Sequence, residues 1–285
     1  MIEVYVVNAF TKNGTGGNKA GIVLQDHNLN KQQKTETAYR LGYSETAFVL
    51  PSAQADFKLE YFTPVGEVPL CGHATIGTFA VMYSLEMLKK SYYTIETKSG
   101  ILRIKIQQNG LIFMEQNRAK FYDIIPGATI KPCFTPAEIN KNLPVQIVST
   151  GLKDILLPIS TPEDLRDMVP DFPVISRISR EKECVGIHAF SLTPDARTTA
   201  ICRNFAPLYG INEESATGTS NCALACYLYS HGFIQNQYIF EQGHNLNSIS
   251  RIYVKLEKDA GKITAVYAGG TGLLQDKISL PVPLL

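Results

Sequence analysis

The chain has 285 residues, 45% of them hydrophobic and 19% charged, with 21 glycines and 15 prolines. These globular proportions exclude a disordered chain, a collagen-like repeat and a coiled coil. Lys and Arg number 27 against 26 Asp and Glu, a formal charge of +1 with no basic run longer than two residues, which argues against nucleic acid or an anionic membrane as partner because both require clustered positive charge.

The start, MIEVYVVNAF, lacks the basic and long apolar regions of a signal peptide. No apolar stretch reaches the roughly 18–20 residues of a membrane span. Six scattered cysteines without a CxxC pair read as reduced thiols. A cytoplasmic protein of one large or two medium domains is expected.

Residues 4–9 and 20–24 are β-rich, and the Gly14-Thr15-Gly16-Gly17-Asn18 stretch between them is a turn. Lys31–Leu41 reads as a helix with Thr35, Glu36 and Arg40 wet and Ala38 and Leu41 packed. Residues 47–50, 57–62, 93–97 and 102–107 read as strands. Two apolar stretches are expected as buried helices, 74–83 continuing to Leu88 and 222–229. Each follows a glycine-containing turn, Cys71-Gly72-His73 or Thr217-Gly218-Thr219. A helix that is apolar nearly all round is enclosed by other elements, so each half is expected to be a central helix wrapped in sheet, an α+β fold.

The halves resemble one another. YSETAFVL at 43–50 and VGIHAFSL at 185–192 share Ala-Phe-x-Leu at an offset of 142 residues. Phe62-Thr63-Pro64 recurs as Phe205-Ala206-Pro207 at an offset of 143, and Cys71-Gly72 as Thr217-Gly218 at 146. Three features in one order, repeating at half the chain length, indicate a duplication with its boundary near residues 118–128. Duplicated domains commonly hold a site in the cleft between them, and chemistry is expected where the copies differ.

Glu45 lies opposite Ile187 in this alignment, so only the first half has a carboxylate there. With Ala47, Phe48 and Val49 following, its pKa is expected to be raised by desolvation, which suits a base that returns its proton. The plainer alternative is a turn cap or a partner to a surface lysine. The pre-helical turns offer backbone N–H groups to an anion. Cys71 would gain thiolate character there, and His73 could act as acid, base or donor, unless they are a small buried residue and a hydrogen-bonded turn histidine.

No metal site is expected. Cys222 and Cys226 lie in an apolar helix, and Cys71-x-His73 lacks further ligands at zinc-like spacing. No GxGxxG follows a strand and no P-loop exists, so a nucleotide cofactor has no cradle. The GTGGNKAG stretch fits a substrate-contacting turn, with Asn18 as its candidate. Cofactor-free acid–base chemistry is what remains.

Several motifs, in order, resemble the phenazine-biosynthesis PhzF-like family: GGNKAGIVL, YSETAFVL, FTPVGEVPLCGHATIGT, VSTGLKDILLPI, RNFAP, ESATGTSNCALACYL and FEQGHNLNSISRIYV. The resemblance implies a diaminopimelate-epimerase-like fold with domains at 1–120 and 121–285, the residues after about 273 returning to the first, and a homodimer. It also implies a cofactor-independent isomerase in which Glu45 of the SET motif moves a proton between ring carbons. Gly72 and His73 match the family's substrate-contacting pair. Glu214 and Thr219 stand where the phenazine enzyme has aspartate and serine, beside Gly218, and Cys71 where it has another small residue. These changes keep proton transfer while setting the phenazine substrate in question.

The leading expectation is therefore an isomerase acting on a small cyclic carboxylate, with Glu45 as proton carrier and Gly72, His73, Glu214, Gly218, Thr219, Cys71 and Asn18 contacting substrate. A one-base racemase using Cys71 and a non-catalytic small-molecule binding protein are the alternatives.

Overall fold

Period-two burial defines the first strand. In β1 (Ile2–Ala9), Ile2 and Val4 are buried and Glu3 between them is exposed. The computed structural model describes residues 1–26, 28–136 and 138–283. The chain divides into two units, Met1–Glu115 with Gly269–Leu285, and Gln116–Ala268.

The first unit continues with β2 (Asn18–Val23), α1 (Lys31–Leu41), β3 (Thr46–Leu50), β4 (Phe57–Thr63), β5 (Gly66–Val68), α2 (Gly72–Ser84), β6 (Tyr92–Thr97), β7 (Gly100–Ile106) and most of β8 (Ile112–Gln116). A capping box starts α1: Gln33 N donates to Asn30 Oδ1 and Asn30 N donates to Gln33 Oε1. Gly42, at φ 67°, ends it. Lys34 of this helix is buried, its ammonium 2.9 Å from Asp26 and 2.7 Å from Glu60, and that pairing is what makes a buried charge tolerable.

α2 is buried at every position from His73 to Met82. At Gly77 a side chain would meet Val7 Cγ1 of β1 at 2.7 Å, so helix and sheet touch there through a bare backbone. The helix ends at Ser84 rather than at the expected Leu88. Leu85 N donates to Val81 O, Met87 N donates to Met82 O, and Glu86 takes φ 54°. A left-handed closure on glutamate carries no glycine signal in the sequence.

The second unit holds β9 (Lys120–Ile124), α3 (Gly127–Ile130), β10 (Phe134–Thr135), β11 (Gln146–Ser149), β12 (Lys153–Pro158), α4 (Pro162–Asp167), β13 (Val169–Pro170), α5 (Phe172–Glu181), β14 (Gly186–Leu192), β15 (Ala200–Ala206), β16 (Ile211–Glu214), α6 (Gly218–Ser230), β17 (Gln237–Gln242), β18 (Ser250–Asp259) and most of β19 (Lys262–Gly270). The two helices α4 and α5 were not anticipated from sequence. Thr161 and Asp171 cap them, each accepting from a first-turn N–H, with proline in the first turn.

Strand pairing repeats between the units. In the first, β1–β2 is antiparallel, β2–β3 parallel, β3–β4 antiparallel, β4–β5 antiparallel, β4–β6 parallel and β6–β7 antiparallel. In the second, β11–β12, β12–β14, β14–β15, β15–β16, β15–β17 and β17–β18 follow in the same order with the same senses. Each unit also has a 13-residue helix, α2 or α6, buried along most of its length. This is a duplicated α+β fold. The last strand, β20 (Gly272–Leu280), pairs antiparallel with β1 from Ile2–Leu280 to Ala9–Gly272.

Candidate active site

In the first unit three loop-to-element junctions converge. Asn18 opens β2, Glu45 immediately precedes β3, and Cys71 is the N-cap of α2, which puts Gly72 and His73 in the helix's first turn. Glu45 Oε2 lies 3.2 Å from His73 Nε2, the histidine 6% and the glutamate 20% exposed. Ser44 Oγ is 3.3 Å from the same nitrogen. On the other side of the ring, Asn18 Nδ2 is 3.3 Å from Nδ1 and Cys71 Sγ is 3.5 Å from it. A nearly buried imidazole is thus surrounded by a carboxylate, a hydroxyl, an amide and a thiol.

Two electrostatic expectations are corrected by this arrangement. Burial does act to raise the Glu45 pKa, but the contact and charge of His73, with help from Ser44 and Cys71, more than offset it and hold the carboxyl below its ordinary 4.5. The apolar residues after Glu45 say nothing of this imidazole, which lies 28 positions on. Cys71 gains no thiolate character: burial and the Glu45 charge push its thiol up, despite the opposing effect of His73. Burial alone would lower the His73 pKa, yet the Cys71 sulfur and the Glu45 carboxylate raise it well above 6.5. Glu45 and His73 each favour the other's charged form.

In the second unit, Glu214 ends β16, and Gly218 and Thr219 open α6. Thr217 Oγ1 donates to Glu214 Oε2 at 3.0 Å. Gln242 Nε2 donates to the Glu214 carbonyl at 2.7 Å and to Thr217 Oγ1 at 3.0 Å. Asn221 Nδ2 donates to Gln242 Oε1 at 3.0 Å. The Glu214 turn is therefore fastened to β17 and α6 by side-chain amides. Below it, Ser220 Oγ donates to the buried Asp154 at 2.6 Å, and Asn204 Nδ2 donates to Ser220 Oγ at 3.3 Å.

Both α2 and α6 begin without a side-chain capping hydrogen bond, so their first-turn N–H groups are suited to an anion. The structure brings Asn18, Glu45, Cys71 and His73 into one cluster in the first unit, and sets Glu214, Gly218 and Thr219 along one turn in the second. Gly72 stands beside the first cluster as backbone, with only Met114 Cε, at 3.7 Å, near where a side chain would begin.

Sequence reasoning missed Ser44 and Gln242. Ser44 was within reach, since the alignment that sets Glu45 against Ile187 also sets Ser44 against Gly186, a second unmatched polar residue. Gln242 lies in the FEQG stretch, but its role depends on contacts with residues 25 and 28 positions earlier, which no local pattern encodes.

A family model of phenazine biosynthesis-like proteins, PhzC-PhzF, matches residues 7–277. The chain belongs to the PhzF family. It is 31% identical over 291 residues to the "uncharacterized isomerase YfhB" of Bacillus subtilis, covering 93% of this chain and 96% of that protein. The crystal structure of a PhzF-family phenazine biosynthesis protein from Bacillus anthracis superposes with a TM-score of 0.90 at 29% identity, across 99% of both chains.

The fold extends beyond the PhzF family. A probable proline racemase from Agrobacterium radiobacter shares it at a TM-score of 0.65 and 11% identity, over 99% of this chain and 94% of that one. The fold is diaminopimelate-epimerase-like. Among the described residues, no helix of this PhzF-family chain is long and apolar enough to cross a membrane.

Proposed function

We propose that this chain is an isomerase that moves a proton between two carbons of a small cyclic carboxylate, without a cofactor, using Glu45 as proton carrier. The observation that carries the reading is the Glu45–His73 contact at 3.2 Å. A carboxylate held ionised by a neighbouring imidazolium is a base ready before substrate arrives. Glu45 takes a proton from one activated carbon, the electron pair moves into the conjugated system, and the Glu45 carboxyl, whose proton exchanges with solvent, delivers a proton to a second carbon. The formula of the substrate is unchanged, and no oxidant or reductant is needed.

His73 donates a hydrogen bond to the oxygen or nitrogen on which negative charge builds. The first-turn N–H groups of α2, at Gly72 and His73, are suited to a substrate carboxylate; separately, within the second unit, those of α6 at Gly218 and Thr219 lie beside Glu214. The isomerase name of the Bacillus subtilis relative supports the reaction class. The raised pKa of Cys71 speaks against a racemase that uses this thiol as its base.

The test is NMR in deuterated water, offering dihydro-hydroxyanthranilate and then a panel of small cyclic carboxylates to wild type and to Glu45→Gln. Isomerisation with deuterium entering the product in wild type, and a loss of at least about a hundredfold in the variant, is expected for removal of a general base. Turnover undiminished in Glu45→Gln would remove Glu45 from the role.

A further inference from the structure

The spacing Cys71-x-His73 offers two metal ligands and stops. Folding supplies a third from 26 positions upstream of the cysteine: one ligand atom from each of Glu45, Cys71 and His73 falls within 4.8 Å of the others. We propose that these three side chains bind a single thiophilic divalent cation of the zinc type, with a water in the fourth position.

The donor set is sulfur, imidazole nitrogen and carboxylate oxygen, the mixture that zinc takes. Metal–ligand bonds of about 2.0–2.3 Å in a tetrahedron set ligand atoms roughly 3.3–3.6 Å apart. The Nε2–Oε2 separation of 3.2 Å meets this as it stands, and Sγ to Nε2 is 3.8 Å. The remaining edge, sulfur to carboxylate, is within 4.8 Å and closes by at most about 1.2 Å.

A metal-bound histidine is normally oriented by a hydrogen bond from its other nitrogen. With Nε2 on the metal, Nδ1 faces the Asn18 side-chain amide at 3.3 Å, and this amide accepts the Nδ1 proton when it presents its oxygen. As the metal binds, the Cys71 thiol and the Nε2–H of the His73 imidazolium each give a proton to solvent, and Nδ1 keeps its own. With its carboxylate on the cation, Glu45 can no longer carry a proton, so the cation blocks the isomerase. That consequence rests on the reading of Glu45 as the base, whereas the binding itself does not.

The experiment is a cobalt(II) titration of the reduced full-length chain, followed by absorption. One equivalent per chain is expected, with visible d–d bands of low-coordinate cobalt and a near-ultraviolet thiolate-to-cobalt band that zinc bleaches by displacement. Cys71→Ser loses the near-ultraviolet band, and Glu45→Gln weakens binding about tenfold or more, while circular dichroism shows both variants folded. No thiolate band in wild type, or the same band in Cys71→Ser, would overturn the site. Unweakened binding in Glu45→Gln would overturn the three-ligand set. Isotope exchange that survives Glu45→Gln would instead overturn the reading of Glu45 as the base and leave the cobalt result standing.

Discussion

Glu45 and His73 hold each other in their charged forms, and that reciprocity can be measured without any substrate. NMR titration of labelled glutamate and histidine is expected to place the Glu45 pKa below 4.5 and the His73 pKa above 6.5. The pair is then doubly charged across the window between those two values. In His73→Asn the largest lowering contribution is gone while burial remains, so the Glu45 pKa should rise from its wild-type value. A Glu45 pKa unchanged by that substitution would mean that the imidazole does not set it. The sequence exposed the glutamate through its mismatch with Ile187. It could not expose the ionisation state, because the deciding neighbour reaches Glu45 from a different element.

At the scale of elements, the two central helices were legible because their residues are apolar on every side, a pattern that admits few environments. Strands β3 and β4 were legible from β-branched and aromatic residues between turns. The ends of helices were less so, as the glutamate closure of α2 illustrates. Least legible were polar ties between elements, such as that between Asp154 of β12 and Ser220 of α6. Burial chiefly, with the charge of Glu214 adding to it, raises the Asp154 pKa from 3.8 to about 7.

An acid with a raised folded pKa binds its proton more tightly in the native state. Its contribution to stability is therefore complete below pH 3.8 and disappears as pH rises through about 7. Three pH units correspond to an effect on the order of 4 kcal/mol. Asp154→Asn should match wild type near pH 4 and exceed it near pH 8, with a flatter stability–pH curve in denaturant melts. His188, its pKa lowered by burial to about 4, makes both proteins weaken in acid and so cancels in the comparison. A variant less stable than wild type at pH 8 would show the carboxylate to be needed in its charged form.

At the scale of the whole chain, duplication was readable from three short matches, and six strand pairings in the same order and sense now carry it. The second unit is one continuous stretch, Gln116–Ala268, whereas the first is assembled from Met1–Glu115 and Gly269–Leu285. Strand β1 carries β20 along its full length. A chain cut after Ala268 should therefore keep slow amide hydrogen exchange in the second unit and lose it across much of the first. Equal protection in both would make β20 dispensable.

That pairing also sets an order of events during protein synthesis. Residues 1–115 leave the ribosome before β20 and cannot complete their own sheet until that strand has followed the whole of the second unit. The later-made unit contains all of its own strands and can close while the earlier one is still waiting. Throughout that interval the edge of β1 that β20 will cover is open, so exposure to misassembly or to a chaperone lasts until β20 emerges.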